Sequence, residues 1–336
     1  MCKKNLIFII LFLALNILNP QAKYIFQIAT DAPEGSSWVK TLLDINEDIK
    51  KYSKGQVEIK VFAGSTMGDQ SSVIKKIKMG QLSGAGLSSG GAQLIYKDFG
   101  ILGFPMIFKN YDEYDYIVKE FGYLFEQEFE KNGFILAAWS EVGLIYIFSK
   151  KKVDTLDALR NAKPFIMEGD QVSIVLFEEA KIKPVQTKMS DIITDLNTGR
   201  IETVFSSTYA LIATQWFTKV YYMADFPITL MIGAVVLDKK LFDSMPKNYQ
   251  VELRRLFKEH FARLTQKVRK DNEDAREILV RKAGIKILPI DQKQKEIFYR
   301  LAEKASDRLT QVDYSRDLYL KIKEKLEEYR KNKNSN

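Results

Sequence analysis

"FILAAWSEVGLIYIFSK", residues 134 to 150, is the stretch that decides the fold. It is apolar along nearly all of its length, which is typical of a strand that is buried on both faces. Only Ser140 and Glu141 interrupt it, close to its middle. A strand that passes from one lobe to another, with a polar bend between the two, has this pattern. The stretch therefore predicts two lobes joined by a crossing strand.

Strand-like and helix-like segments alternate on both sides of this stretch. "YIFQIAT" (24–30) and "VEIKVFA" (57–63) have strand patterns, and an amphipathic helical pattern follows each of them. "ITLMIGAVVL" (228–237) has the pattern of a strand that returns to the first lobe. Residues 247–283 predict one very long charged helix that ends at Gly284. This alternation predicts an α/β fold with a largely parallel sheet and two lobes interleaved in sequence.

Length and charge limit the classes of function. The chain has 336 residues, of which 46% are apolar and 28% charged, and this suits a globular protein large enough for two cores. The net charge of +8 comes in part from Lys3, Lys4 and the closing "EEYRKNKNSN". Elsewhere basic residues alternate with acidic ones along helix faces. The sequence therefore does not predict nucleic-acid binding, which would require basic residues clustered with aromatic ones.

The N-terminus predicts export from the cytoplasm. Two lysines precede "LIFIILFLALNIL" (6–18), an apolar run too short to span a bilayer comfortably, and Ala22 is a candidate cleavage point. We therefore expect residues 1–22 to be a secretory signal and the mature chain to lie in the periplasm. Pro20 lies unusually close to the cut. For that reason an uncleaved membrane tether is the alternative.

Few residues are suited to catalysis or metal binding. Cys2 is the only cysteine and lies ahead of the apolar run, and His260 is the only histidine. At helical spacing within "LRRLFKEHFARL", His260 is expected to be a surface or packing residue. Thiolate or histidine metal sites and Ser-His-Asp chemistry thus lack the residues they need. "GAGLSSGG" (84–91) matches neither a P-loop nor a dinucleotide fingerprint, so no cofactor is predicted.

Five segments in order resemble one family. They are "ATDAPEGSSWVKTLLDINEDIKKYSKGQVEIKVFAGSTMGDQSSVIKKIKMGQLSGAGLSS" (29–89), "FGILGFPMIFKNYDEY" (99–114), "TLDALRNAKPFIMEGD" (155–170), "MSDIITDLNTGRIETVFSS" (189–207) and "LDKKLFDSMPKNYQVELRRL" (237–256). Together they resemble the DctP-type solute-binding proteins of TRAP (tripartite ATP-independent periplasmic) transporters, over about residues 26 to 310. The resemblance implies two α/β lobes, a ligand cleft between them, a long helix bracing both, and delivery of the ligand to membrane permease subunits. It implies no enzyme activity and no permanent oligomer, so a monomer is expected.

The expected division of the chain follows from the crossing strands. We expect hinge bending near Ser140 to Gly143 and near Ile228 to Gly233. The predicted segments are 1–22 as signal or tether, 23–142 as the first part of lobe I, 143–228 as the first part of lobe II, 229–266 as the return to lobe I, 267–326 as lobe II and bracing helices, and 327–336 as a disordered tail.

Phe165 departs from the family's pattern. At its position the family normally has an arginine, which binds a substrate carboxylate through two hydrogen bonds. A second basic residue often follows the glycine of the crossing strand, where this chain has Leu144 and Ile145. An asparagine of relatives corresponds to the region of Phe205 and Ser206. An enclosed carboxylate without a partner costs several kcal/mol, whereas burying an apolar side chain against a ligand gains roughly 1.5–3 kcal/mol. We therefore expect a neutral, apolar or lipid-like ligand and not a small carboxylate.

The expected cleft wall combines large apolar residues with a few serines. For each large apolar residue, packing in a lobe core is about equally expected, because the sequence gives no depth. The candidate wall residues are Trp38, Ser88, Ser89, Phe104, Met106, Trp139, Ile145, Phe165, Met167, Ser206 and Trp216.

Three alternatives remain open from the sequence. In the first alternative, Phe165 packs in the core of its lobe, and another basic residue, such as Lys163 or Arg200, supplies the charge that binds an organic acid. In the second, the same cleft hosts an extracytoplasmic enzyme that uses carboxylates, lysine or tyrosine, although no paired constellation is visible. In the third, the chain is a sensor module that no longer binds a small molecule.

Overall fold

The computed structural model describes residues 23–167 and 170–334. The predicted signal or tether at residues 1–22 lies outside these ranges. The strands are β1 (Tyr24–Thr30), β2 (Val57–Phe62), β3 (Gly84–Ser88), β4 (Phe134–Ser149), β5 (Phe165–Met167), β6 (Val185–Thr187), β7 (Thr203–Ser206), β8 (Tyr222–Ala224), β9 (Thr229–Asp238) and β10 (Lys286–Leu288).

Helices make up most of the remaining chain. They are α1 (Ser37–Tyr52), α2 (Gln70–Lys78), α3 (Ser89–Ala92), α4 (Tyr111–Lys131), α5 (Leu156–Arg160), α6 (Gln171–Glu179), α7 (Ile192–Thr198), α8 (Thr208–Ala213), α9 (Lys239–Asp243), α10 (Lys247–Arg281), α11 (Gln292–Val312) and α12 (Arg316–Asn334). Short 3-10 turns occupy Lys97–Gly103, Met189–Asp191 and Trp216–Lys219. Of the helices in the described ranges, none is long and apolar enough to cross a membrane.

Two lobes share one continuous sheet. In lobe I the strand order is β4-β9-β3-β1-β2, and in lobe II it is β10-β8-β4-β7. A bridge between Pro164 and Thr203 connects β7 to the separate β5-β6 pair. β4 and β9 pair from Phe134 and Asp238 in lobe I to Ile145 and Thr229 in lobe II. The predicted interleaved lobes and crossing strands are therefore confirmed.

The sheet is mixed, and the prediction of a largely parallel sheet is wrong. β1 is parallel to both β2 and β3, and β10 is parallel to β8. The crossing strands instead run antiparallel to each other and to β3, β7 and β8. This follows from the topology, because a chain that crosses into lobe II in β4 and returns in β9 must reverse its direction.

Helices α10 and α11 brace both lobes. In α10, Leu253, Phe257 and Phe261 pack in the lobe I core, while Leu279 packs in the core of lobe II. In α11 the order is reversed: its first half packs in lobe II and its second half, through Leu309, in lobe I. The predicted long bracing helix is thus confirmed, and a second helix has the same role.

The C-terminal segment is a helix and not the predicted disordered tail over residues 327–334. Leu326 and the apolar residues that precede it at intervals of three and four pack in the lobe I core. One face of α12 is therefore buried there. Arg330 donates to both carboxylate oxygens of Glu113, over 2.9 and 2.7 Å, and the ring of Tyr329 stacks on Tyr116 at 4.7 Å. The prediction of disorder was based on the many charged residues of this stretch, whereas its few apolar residues determine that it packs as a helix.

Candidate ligand-binding cleft

The two lobes face each other across the carboxyl ends of their strands. In open α/β sheets, ligands bind outside these ends. In lobe I, Asp31 follows β1, and Ser88 ends β3 beside Gly233 of the returning strand. In lobe II, Ser206 ends β7 opposite Tyr146, which β4 reaches just after it has crossed. Both edges therefore lie next to the crossing strands.

The lobe I edge has a hydrogen-bonded polar network. Ser65 Oγ donates to Asp31 Oδ1 over 2.8 Å, and Gln70 Nε2 donates to Asp31 Oδ2 over 2.5 Å. Gln70 Oε1 in turn accepts from the backbone N–H and the Oγ of Ser88, over 3.2 and 3.0 Å. Of these four residues, sequence reasoning selected only Ser88. Asp31, Ser65 and Gln70 lie in three separate loops or helix starts, and only the fold brings them together.

The lobe II edge is apolar. Phe165 is 5% exposed, and its ring centroid lies 6.0 Å from that of Phe205 and 6.4 Å from that of Trp216. Phe165 and Trp216 belong to a buried cluster that also includes Phe148, and the half-buried Phe205 and Met167 pack against it. Phe165 and Met167 lie on the same face of β5, and Met167 is half-buried. The cluster therefore extends from a sealed interior towards the end of the strand.

The remaining predicted wall residues do not gather at one point. Phe104 is fully buried in lobe I beneath Tyr314 and Tyr319, with ring centroids 5.0 and 5.7 Å away. Trp139 stacks on Phe99 at 5.4 Å in the same core. For Phe104 the geometry is that of a packing residue.

Trp38 and Met106 lie in further clusters. Half-buried Trp38 meets Phe261 edge-on at 5.6 Å, on the side of lobe I that α10 covers. Met106 packs in the lobe II core, and its N–H donates to the carbonyl of Ile228 over 2.8 Å. Ile145 is buried in the crossing strand, and its carbonyl accepts from the N–H of Ile228. Ser89 begins the short α3.

The two basic residues considered for acid binding have partners within lobe II. Lys163 Nζ donates to the carbonyl of Gly199 over 2.9 Å and lies 3.6 Å from Glu202. Arg200 binds Asp195 over 2.7 Å and the carbonyl of Gln186 over 3.2 Å. Among the described residues, no group of histidines, cysteines or carboxylates could hold a metal ion.

The polar bend of β4 is held by α10. Arg269 binds both oxygens of Glu141, over 2.9 and 2.5 Å, and burial raises the pKa of that carboxyl above its usual range although Arg269 offsets part of the effect. Asn272 Nδ2 donates to the carbonyl of Val142 over 3.0 Å. The β4-β9 register shifts between Glu141 and Gly143, where Gly143 has a φ of +123°. The irregularity coincides with one of the two predicted hinge segments.

The lobes also touch through α6. Val175 of this lobe II helix is buried within the lobe I core cluster, and Val172 and Leu176 pack against that cluster. Asp170 caps the start of the helix by accepting from the N–H of Ser173 over 3.1 Å. An apolar contact between the lobes therefore lies directly after the segment that contains Phe165.

A family model defines the class of protein. The model described as bacterial extracellular solute-binding protein, family 7, matches residues 28–311. The chain belongs to this family, the solute-binding proteins of TRAP transporters, and the resemblance seen in the sequence is confirmed at that level. The family and its structural relatives are solute-binding proteins and not enzymes.

Curated relatives are distant in sequence. A solute-binding protein from Chromohalobacter salexigens is 24% identical over 165 residues, which cover 48% of this chain and 49% of that protein. An uncharacterized protein from Haemophilus influenzae is 23% identical over 231 residues, which cover 64% of this chain and 66% of that protein. The chain thus spans less than two thirds of the length of either relative.

Solved structures share the fold. A TRAP periplasmic solute-binding protein from Ochrobactrum anthropi, with its C-terminus bound in the ligand-binding pocket, is 17% identical with a TM-score of 0.84, covering 93% of this chain and 97% of that one. One from Desulfovibrio salexigens with bound orotic acid is 17% identical with a TM-score of 0.77, covering 90% and 100%. One from Xanthobacter autotrophicus with bound β-D-galacturonate is 18% identical with a TM-score of 0.77, covering 89% and 99%.

Proposed function

We propose that the protein is the periplasmic solute-binding subunit of a TRAP-type transporter and that it captures a neutral, largely apolar or lipid-like solute between its lobes. It then delivers this solute, as a monomer, to membrane permease subunits. Family membership supports the binding role. The observation that supports the ligand class is the apolar edge of lobe II, where Phe165 packs against Phe205 and Trp216.

The charges at the cleft agree with this ligand class. A carboxylate moved out of water needs a paired cation, and without one it costs several kcal/mol. Lys163 and Arg200 already bind groups of their own lobe. On the opposite edge, the side chain of Asp31 is a carboxylate, which repels an anionic solute. An apolar solute avoids both costs.

An organic acid is the second candidate ligand. The structural relatives with bound orotic acid and galacturonate favour it. Lys188 follows the end of β6, is exposed, and makes no ion pair with the residues that the structure describes. As an exposed cation after the carboxyl end of β6, this lysine is the candidate partner for an acid. Loss of acid binding in Lys188→Ala would support this candidate.

Matched pairs of an organic acid and an uncharged analogue test the two candidates. The protein is titrated with octanoate and octanamide, and with galacturonate and galactose, and unfolding temperature and heat of binding are recorded. A solute present at 100 times its Kd stabilises the fold by about 2.7 kcal/mol. We expect octanamide to raise the unfolding temperature more than octanoate does. Stabilisation by the acids alone would overturn the proposal.

A further inference from the structure

Asp31 is a carboxylate that is oriented but not neutralised. Each of its oxygens accepts one hydrogen bond, from Ser65 or from Gln70. A carboxylate has about four acceptor positions, so about two remain available. Asp31 is exposed, and it forms no salt bridge with the residues that the structure describes. The donors that hold it are neutral and leave its negative charge in place.

The network places this charge at the cleft. Ser88, which binds Gln70, pairs across the sheet with Gly233, and Gly233 pairs with Ser140 at the bend of β4. Ser88 lies on β3, and β3 is the neighbour of the crossing strand β9. Because neighbouring strands are about 4.8 Å apart, the network begins about that distance from β9. Gln70 is held closely, since a Cβ added to Gly91 would lie 1.8 Å from its Oε1. The carboxylate is therefore fixed at the lobe I edge, directly after the carboxyl end of β1.

We infer that Asp31 is a specificity-determining residue that selects solutes with a hydrogen-bond-donating head, above all an ammonium group. This inference rests on the proposed function for the apolar part of the solute, which requires the lobe II edge. It departs from the proposed function in the head of the solute, which here carries a positive charge. The two edges together fit an amphiphile: the hydrocarbon part lies against the Phe165 cluster, and the cationic head donates to Asp31. A hydrogen bond to a charged group is stronger than a neutral one, so the head contributes selectivity.

A purely structural role for Asp31 predicts different behaviour. In that case the carboxylate only ties the loop at Ser65 to the start of α2, and its replacement lowers stability without changing which solute is preferred. Selectivity among solutes with the same chain and different heads separates the two roles.

Octylamine, octan-1-ol and octanoate are the probes, titrated calorimetrically at pH 7 into the full mature chain and into Asp31→Asn. Asp44→Asn is the control, because Asp44 is a lobe I carboxylate on α1 paired with Lys40. We expect the original protein to bind octylammonium about tenfold or more tightly than octanoate. Asp31→Asn should lose that advantage and keep its affinity for octan-1-ol, and Asp44→Asn should change neither. Added salt should reduce the advantage, because the site is exposed.

The outcomes distinguish this inference from the proposed function. If all three probes bind equally well, or if Asp31→Asn weakens all three equally, the apolar cleft stands and the role of Asp31 is refuted. If octanoate binds most tightly, both are refuted. If none of the probes binds, the apolar cleft is refuted and this inference with it. A lower unfolding temperature of Asp31→Asn with the preference intact shows the structural role and also refutes the inference.

Discussion

Replacement of Phe165 by arginine tests whether this residue belongs to the cleft wall or to a sealed core. Phe165 is 5% exposed at the start of β5, and Met167 on the same face is half-buried, so a long side chain has a short route to the cleft. Phe148 lies in the same cluster but is 0% exposed in the middle of lobe II. Phe148→Arg is therefore the matched control without such a route.

The magnitudes differ because of access to water. In Phe165→Arg the guanidinium can reach the cleft while its methylene groups replace part of the ring contacts. We expect the free energy of unfolding to fall by about 1–3 kcal/mol, the usual range for a substitution that loses packing. In Phe148→Arg the charge stays buried and unpaired, which costs several kcal/mol more and takes most of the about 5–15 kcal/mol of a domain's stability.

Urea unfolding and calorimetric titration of both variants give the result. Phe165→Arg should remain folded and bind octanamide more than tenfold less tightly, because a buried cation without a partner costs more than the ~1.4 kcal/mol that corresponds to tenfold. It should not gain strong acid binding, since Ile145 and Ser206 provide no second cation. Unfolding of both variants alike would refute the cleft position of Phe165. Unchanged affinity in a stable Phe165→Arg variant would refute the apolar site.

Three further predictions concern the hinge and its supports. Gly143→Ala should destabilise the protein by at least about 1 kcal/mol more than Gly133→Ala does. Both glycines have a positive φ, +123° at Gly143 and +85° at Gly133. However, a Cβ on Gly143 would lie 2.6 Å from Asn272 Nδ2, whereas a Cβ on Gly133 would have nothing within 4 Å. Equal losses of stability would show that Asn272 moves aside freely. Burial raises the folded-state pKa of Glu141, so its contribution to stability is complete below the unfolded value of about 4.3 and is lost as pH rises through the folded-state pKa. Urea unfolding from pH 4 upwards should therefore show the original protein losing stability relative to Glu141→Gln, and a relative gain would mean that Arg269 instead lowers this pKa. Solution scattering should show a smaller radius of gyration on addition of octanamide, because the lobes close by bending near residues 140–143 and 228–233. An unchanged radius with binding confirmed by calorimetry would argue against a hinge.

Local patterns predicted the crossing strands well, because these patterns reflect burial on both faces. The polar interruption at Ser140 and Glu141 predicted a bend, and the register shift between Glu141 and Gly143 lies at that place. The direction of the returning strand was not visible in the same way. Strand direction depends on how the chain passes between lobes, and hydrophobic spacing carries no information about it.

The cleft was harder to predict than the fold. Phe104 is covered by Tyr314 and Tyr319, which lie more than 200 residues later in the chain, so its depth could not be inferred from its neighbours. Asp31 and Gln70 have the appearance of a turn residue and a helix start, and their hydrogen bond links positions 39 residues apart. Both cases depend on long-range contacts, which a single sequence does not show.

Mass spectrometry of the solute released from natively purified protein tests the central claim most directly. A tightly held apolar solute stays with its carrier when the protein is isolated without refolding, and the released compound can be identified by its mass and charge. We predict a neutral or amine-bearing amphiphile, bound one to one and absent from Phe165→Arg purified in the same way. A small carboxylate or a sugar acid, bound at the same ratio, would contradict the account.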